Sequence, residues 1–93
     1  MTEASMTDPY QFQRKRLIFR ANHRGTKETD LLLGRFAERY VPGFTSEHLQ
    51  QFDVLLSLGD PDIYDWATGQ TPVPPEYDTS VMTLLMSFRL VNN

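Results

Sequence analysis

Apolar residues recur every three or four positions in five separate stretches of the chain, and this spacing predicts five amphipathic helices. The first runs from about Pro9 to Asn22, with Asp8 as its expected N-cap. The second runs from about Lys27 to Val41 and ends at Pro42-Gly43. No stretch alternates between apolar and polar residues as a half-buried strand does.

The second half of the chain continues the helical pattern. Thr45 or Ser46 is expected to cap the third helix, which ends at Gly59. A short fourth helix is predicted to start at Asp60-Pro61 with Asp60 as N-cap, and the last helix to start near Pro75-Glu76. The fold class predicted is all-α, a compact five-helix bundle. We expect one domain over residues 1–93, with flexible tails at 1–8 and 91–93.

The apolar stripes predict one shared core. Phe12 and Phe19 are expected to widen the apolar side of the first helix. Gly34 lies inside the second helix, where it costs roughly 1 kcal/mol relative to alanine, so it indicates close packing against a neighbouring helix. The predicted core residues are Leu33, Phe36, Phe52, Leu55, Trp66, Leu84 and Phe88.

Composition excludes several classes of protein. The chain has no cysteine, so disulfides and thiolate metal sites are excluded. No apolar run approaches the roughly 20 residues of a membrane-spanning helix, so membrane insertion is not expected. The N-terminal segment lacks an apolar signal core, and its acidic residues argue against a transit peptide. A soluble intracellular protein is therefore expected.

Charge is distributed unevenly along the chain. Residues 1–45 contain eight Lys/Arg and five Asp/Glu, a net charge of +3, whereas residues 46–93 contain one Arg and seven Asp/Glu, a net charge of −6. The pattern fits ordinary solvated helix faces, or a basic end that docks on an acidic partner. Nucleic-acid binding through Arg14, Lys15, Arg16 and Arg20 is the alternative, which the overall charge of −3 disfavours.

The segment Arg24-Gly25-Thr26-Lys27-Glu28 joins the first two helices and has two interpretations. In the structural one, Glu28 lies near the N3 position of the second helix and caps it, and Arg24 binds the last carbonyls of the first helix. In the functional one, a fixed cation, a bare glycine backbone and a fixed anion form a rigid recognition corner. Spacing alone leaves both open.

Positive evidence for catalysis is absent from the sequence. We find no nucleophile motif, phosphate loop or dinucleotide fingerprint. Asp60, Asp62 and Asp65 could suggest a metal, but no further ligands occur at a recognised spacing, so dipole compensation and solvation explain them better. No metal site is predicted.

Two motifs in order resemble a known family. Arg24-Gly25-Thr26-Lys27-Glu28 matches the pattern RGxxE and is followed by Leu31-Leu32-Leu33-Gly34-Arg35-Phe36. The segment Asp60-Pro61-Asp62-Ile63-Tyr64-Asp65-Trp66 and a proline-rich loop come later. This order, at this chain length, resembles the SdhE family, also called succinate dehydrogenase assembly factor 2, over roughly residues 14–88.

The resemblance implies an assembly factor that binds the flavoprotein subunit of succinate dehydrogenase, with fumarate reductase as a further client in some members, and promotes covalent attachment of FAD to a client histidine. It implies a chaperone-like protein without catalytic groups, a monomer when free, with no cofactor bound stably because FAD belongs to the client. The implied location is the cytoplasm of a bacterium or the mitochondrial matrix of a eukaryote. A small helical antitoxin-like or nucleic-acid-binding regulator is the alternative.

The same resemblance supplies the candidate partner-binding residues. The RGxxE motif contributes Arg24, Gly25 and Glu28, and the second signature begins at Asp60. His23 departs from the family pattern, since relatives often have Arg or Lys there. The full set is His23, Arg24, Gly25, Lys27, Glu28, Asp60, Pro61 and Asp62.

Overall fold

The computed structural model describes residues 8–92, and within that range the chain is helical without strands. The helices are α1 (Gln11–Ala21), α2 (Lys27–Tyr40), α3 (Ser46–Leu56), α4 (Asp60–Ala67) and α5 (Ser80–Asn92). Single 3₁₀ turns at Val41–Gly43 and Pro75–Tyr77 complete the described part. For the residues that the structure describes, the predicted all-α fold with five helices is confirmed. The tails predicted at 1–8 and 91–93 fall mainly outside the described residues, although α5 continues to Asn92.

The N-cap of α1 is Tyr10, so the prediction that Asp8 occupies this position is wrong. Regular helix begins at Gln11, after a turn in which the Asp8 carboxylate accepts a hydrogen bond from the Tyr10 N–H at 2.9 Å. The same carboxylate accepts one from Arg14 Nε at 2.6 Å. These bonds, that of Arg14 first, lower the pKa of Asp8. The carboxylate therefore caps the entry turn, and its pairing with Arg14 is lost as the pH falls through that lowered pKa.

The last helix begins later than predicted. Pro75–Tyr77 forms a separate 3₁₀ turn, and Asp78 has non-helical backbone angles (φ −84°, ψ 72°). The Thr79 hydroxyl then accepts a hydrogen bond from the Met82 N–H at 3.2 Å, so Thr79 caps α5. Tyr77 therefore lies outside the α5 stripe, and its ring stacks on Trp66 with centroids 5.4 Å apart.

Aromatic rings form the centre of the core. Phe36 of α2 is fully buried, and its ring centroid lies 5.5 Å from that of Phe52 and 5.7 Å from that of Phe88. These contacts join α2, α3 and α5 around one apolar cluster. Six of the seven predicted core residues are buried, but Leu84 is only half-buried. Leu85, one position along α5, is the fully buried leucine.

Truncating these two neighbouring leucines tests which face of α5 enters the core. Leu85→Ala is expected to lower the free energy of unfolding by about 2–5 kcal/mol, the usual range for a buried leucine. Leu84→Ala should cost less, because solvent already reaches part of that side chain. Urea denaturation of both variants provides the measurement. A larger loss for Leu84→Ala would contradict this orientation of α5.

Close packing of α1 on α2 fixes the segment that connects them. A Cβ atom placed on Gly34 would lie 2.2 Å from the side-chain oxygen of Asn22, which confirms the close approach predicted at this glycine. The Asn22 amide in turn donates to the Ile18 carbonyl at 2.9 Å. Helix α1 also packs on α3.

Among the described residues, no helix is both long and apolar enough to span a membrane.

Candidate functional site

The connection between α1 and α2 is a tight, exposed corner. Helix α1 ends at Ala21, and the Thr26 hydroxyl, as N-cap of α2, accepts a hydrogen bond from the Thr29 N–H at 3.4 Å. Gly25 has a backbone angle φ of +116°, a conformation that residues with a Cβ atom rarely adopt. A Cβ at Gly25 would meet no atom within 4 Å, so the backbone is open to an approaching molecule.

The capping role proposed for Glu28 is wrong. Glu28 is the second residue of α2, and Thr29 occupies the N3 position. The carboxylate that reaches back to the corner belongs to Asp30, whose Oδ1 accepts from the N–H groups of Arg24 at 2.5 Å and Gly25 at 3.3 Å. Glu28 is exposed, and within the described chain its carboxylate has no hydrogen bond or ion pair. Its charge is therefore available to a partner.

Arg24 is held inside the protein. Its side chain is 12% exposed, and its Nε donates to Asp60 Oδ1 at 2.7 Å. The two terminal nitrogens donate to the carbonyls of Leu56 and Leu58, the latter at 2.5 Å. The guanidinium thus binds the end of α3, and the expectation that it binds the last carbonyls of α1 is wrong. Arg24 joins the corner to the segment that connects α3 and α4.

The Asp60 side chain is the partner of Arg24 in this ion pair. The N-cap of α4 is Gly59 rather than the predicted Asp60, so α4 begins one residue earlier than predicted, with Asp60 as its first residue and Pro61 as its second. The Asp60 side chain is 11% exposed and faces Arg24. The ion pair brings the two signature segments of the sequence together, although they lie 36 residues apart.

The two signature segments form one concave surface. A cavity of about 290 Å³ is lined by Thr26, Glu28, Thr29, Asp60, Pro61 and Tyr64. A neighbouring cavity of about 280 Å³ shares Glu28 and Tyr64 and continues over Leu31 and Arg35 of α2. We call the exposed residues Gly25, Lys27, Glu28, Pro61 and Asp62, together with Tyr64, the corner surface.

His23 lies beside the corner rather than in it. Its ring stacks on Phe19 with centroids 4.0 Å apart, and its Nδ1 lies 2.7 Å from the Phe19 carbonyl oxygen. Since a carbonyl only accepts hydrogen bonds, Nδ1 carries a proton and Nε2 remains the other ring nitrogen for an external contact. His23 is exposed.

The four basic side chains of α1 differ in whether they have partners in the fold. Arg14 donates to Asp8 and, at 2.7 Å each, to the carbonyls of Val41 and Phe44. Arg20 donates to Asp53 of α3 at 2.7 Å. Lys15 and Arg16 are exposed and have no such partner in the described part of the chain. Half of the cations invoked for nucleic-acid binding therefore serve the fold.

Two residues of this region were missed in the sequence. Asp30 holds the corner backbone, and Tyr64 lies between the two cavities. An acid in the first turn of a helix is a weak signal for Asp30, since dipole compensation explains it equally well. For Tyr64 the only signal was its place within the second signature segment.

Comparisons with known proteins cover most of the chain. A family model described as "Flavinator of succinate dehydrogenase" matches residues 15–89. Succinate dehydrogenase assembly factor 2-A, mitochondrial, of Drosophila mojavensis is 44% identical over 80 residues, 84% of this chain and 51% of the relative. FAD assembly factor SdhE of Acetobacter pasteurianus is 44% identical over 70 residues, 75% of this chain and 64% of the relative. The chain thus spans about half the length of the insect relatives it matches.

Proposed function

The chain belongs to the family of flavinators of succinate dehydrogenase, and we propose that it binds the flavoprotein subunit of that enzyme and promotes covalent attachment of FAD to it. The observation that carries the proposal is the family match over residues 15–89, which includes both signature segments of the corner surface. Fumarate reductase is proposed as a further client, on the resemblance alone.

Positioning is the proposed mechanism. The flavin supplies electrophilic chemistry when bound to the client, and the attacking histidine belongs to the client. This chain needs only to hold the client so that the histidine and the flavin meet in attack geometry, which can remove several kcal/mol from a barrier. We therefore propose a non-catalytic factor that binds no cofactor stably and is a monomer when free.

The corner surface is the proposed contact with the client. Gly25 lets a partner backbone approach closely, because no side chain stands in its way. Glu28 offers an unpaired carboxylate, and Lys27, Pro61 and Asp62 are exposed around it. Arg24 and Asp60 contribute by fixing the corner against α3 and α4, so their proposed role in binding is indirect.

The names of the relatives support a proposal for the cellular location. They include proteins named mitochondrial and a bacterial one. We propose the cytoplasm for a bacterial chain and the mitochondrial matrix for a eukaryotic one.

Glu28→Ala tests the corner surface. Covalent flavin on the co-expressed flavoprotein subunit, read by in-gel fluorescence, is expected to fall to near background, because the variant loses the anion presented to the client. The melting temperature should change little, since an acid in the first turn contributes about 0.3–1 kcal/mol. Glu28→Gln should behave like Glu28→Ala if the charge is what the client recognises.

Glu47→Ala is the matched control for this experiment. Glu47 is also the second residue of a helix whose N-cap is a threonine, so its removal costs the same kind of dipole interaction. Glu47→Ala should leave flavinylation normal. A folded Glu28→Ala protein that supports normal flavinylation would remove the corner surface from the proposal.

A further inference from the structure

Two phenylalanines on the outside of α1 are not accounted for by the fold. Phe12 is 74% exposed and Phe19 is 63% exposed, although both were expected to widen the apolar side of the helix. They lie seven residues apart, which is two helical turns, so they share one side of α1. Single exposed apolar residues are common, but two large rings on one helix side form a patch of the kind that marks an interaction site.

Basic side chains share this side of the helix. Lys15 and Arg16 lie between the two phenylalanines at spacings of three and four residues, and both are exposed. The stacked His23 ring extends the row by one more turn. We call Phe12, Lys15, Arg16, Phe19 and His23 the outer face of α1.

Charge indicates what could cover this face. Helix α1 contains no acidic residue, and Lys15 and Arg16 are its cations that the described structure leaves unpaired. Arg14 and Arg20 are directed to Asp8 and Asp53 instead. A complementary surface is therefore acidic and has an apolar depression for two rings.

The outer face leads directly to the corner surface. The Phe19–His23 stack ends one residue before Arg24 and two before Gly25. Because His23 is only two residues from Gly25, a client that contacts the corner can also reach the His23 end of the outer face. The outer face has only two free cations, and the chain has a net charge of −3. Because nucleic-acid binding depends on many phosphate contacts, these charges favour a protein over a nucleic acid as the binding partner.

We propose that the outer face of α1 is a second part of the client-binding surface, which seats Phe12 and Phe19 in an apolar depression of an acidic region of the flavoprotein subunit. The inference rests on the proposed function and extends it from the corner along α1. Phe12 and Phe19 would act as aromatic anchors, and Lys15 and Arg16 would steer the approach.

The test measures binding of purified wild-type and variant proteins to the apo flavoprotein subunit by calorimetry, with covalent flavin as a second readout. Phe12→Ser/Phe19→Ser is expected to weaken binding by at least about tenfold, as loss of anchor residues does. Lys15→Glu/Arg16→Glu should weaken binding and reduce its dependence on salt. Val54→Ser, which also removes an exposed apolar side chain but from α3, should bind as the wild type does.

Several outcomes would overturn the inference. If the wild type binds the client and the double phenylalanine variant binds equally well, this inference fails and the proposed function stands. If the wild type does not bind the client, both fail. The inference also fails if the double variant has a markedly lower melting temperature, which would mean that the chain itself covers the face. It fails too if the face instead mediates a dimer, seen by sedimentation, or salt-dependent binding to a duplex oligonucleotide, while client binding is unchanged.

Discussion

Arg24→Ala is expected to lower the free energy of unfolding by about 3–5 kcal/mol, the usual cost of removing one partner of a buried ion pair. The variant would leave the Asp60 carboxylate buried beside α3 without its cation, and the carbonyls of Leu56 and Leu58 without their donor. Arg24→Lys should be intermediate, because an ammonium group cannot donate in the forked geometry that reaches all three acceptors. Urea denaturation measures these losses.

The matched control is the ion pair between Arg20 of α1 and Asp53 of α3. Arg20 and Asp53 are 2.7 Å apart, but their side chains are 30% and 43% exposed. Arg20→Ala should therefore cost only about 0–1 kcal/mol, as exposed pairs do. A loss for Arg24→Ala no larger than that for Arg20→Ala would contradict a supporting role. In a small domain of marginal stability, loss of function in Arg24 variants is expected to follow loss of folding.

Gly25→Arg is expected to abolish flavinylation of the client while most of the protein remains folded. Open space surrounds the position, so the long side chain does not disturb the core. The positive φ of +116° adds strain on the order of 1–2 kcal/mol for any residue with a Cβ. The arginine would then occupy the place where the client backbone is proposed to approach. Covalent flavin fluorescence and thermal melts measure both effects.

Two controls separate bulk from strain. Gly25→Ala carries the backbone strain without the bulk, and it should retain most of the flavinylation. Gly69→Arg places the same side chain at another glycine with positive φ, +79°, and open surroundings, at the end of α4. It should lose similar stability and keep full function. If Gly25→Ala lost as much flavinylation as Gly25→Arg, the conformation of the corner rather than access to it would be the critical property.

Local sequence signals predicted the helices well and their ends less well. The apolar spacing identified the five helices of residues 8–92, because each must bury one apolar stripe. Threonine caps at Thr26 and Thr45 act within three residues of sequence, so their helices begin where the pattern predicts. The Asp-Pro signal is ambiguous, since proline is accepted at more than one first-turn position. In the structure Gly59 is the N-cap of α4, and the Asp60 carboxylate binds Arg24, far away in sequence, instead of capping the helix.

Spacing could not assign roles to the charged residues of the corner. The sequence places three charged residues in one turn, Arg24, Lys27 and Glu28. Both a capping role and a recognition role fit their positions. The fold separates them by burying Arg24 and exposing Lys27 and Glu28. The same limit applies to Arg14 and Arg16, of which one binds backbone carbonyls and the other faces solvent.

The sequence by itself determined the all-α class, the order of the helices, most of the core and, through its two signature segments, the family. Those properties depend on residues that are neighbours along one helix or on short motifs that can be recognised in the sequence alone. Only the tertiary structure decided that Leu85 rather than Leu84 is fully buried, that Phe12 and Phe19 remain outside, and that Arg24 is internal. Each of these depends on which other helix lies opposite, and that is set by packing between segments far apart in the chain.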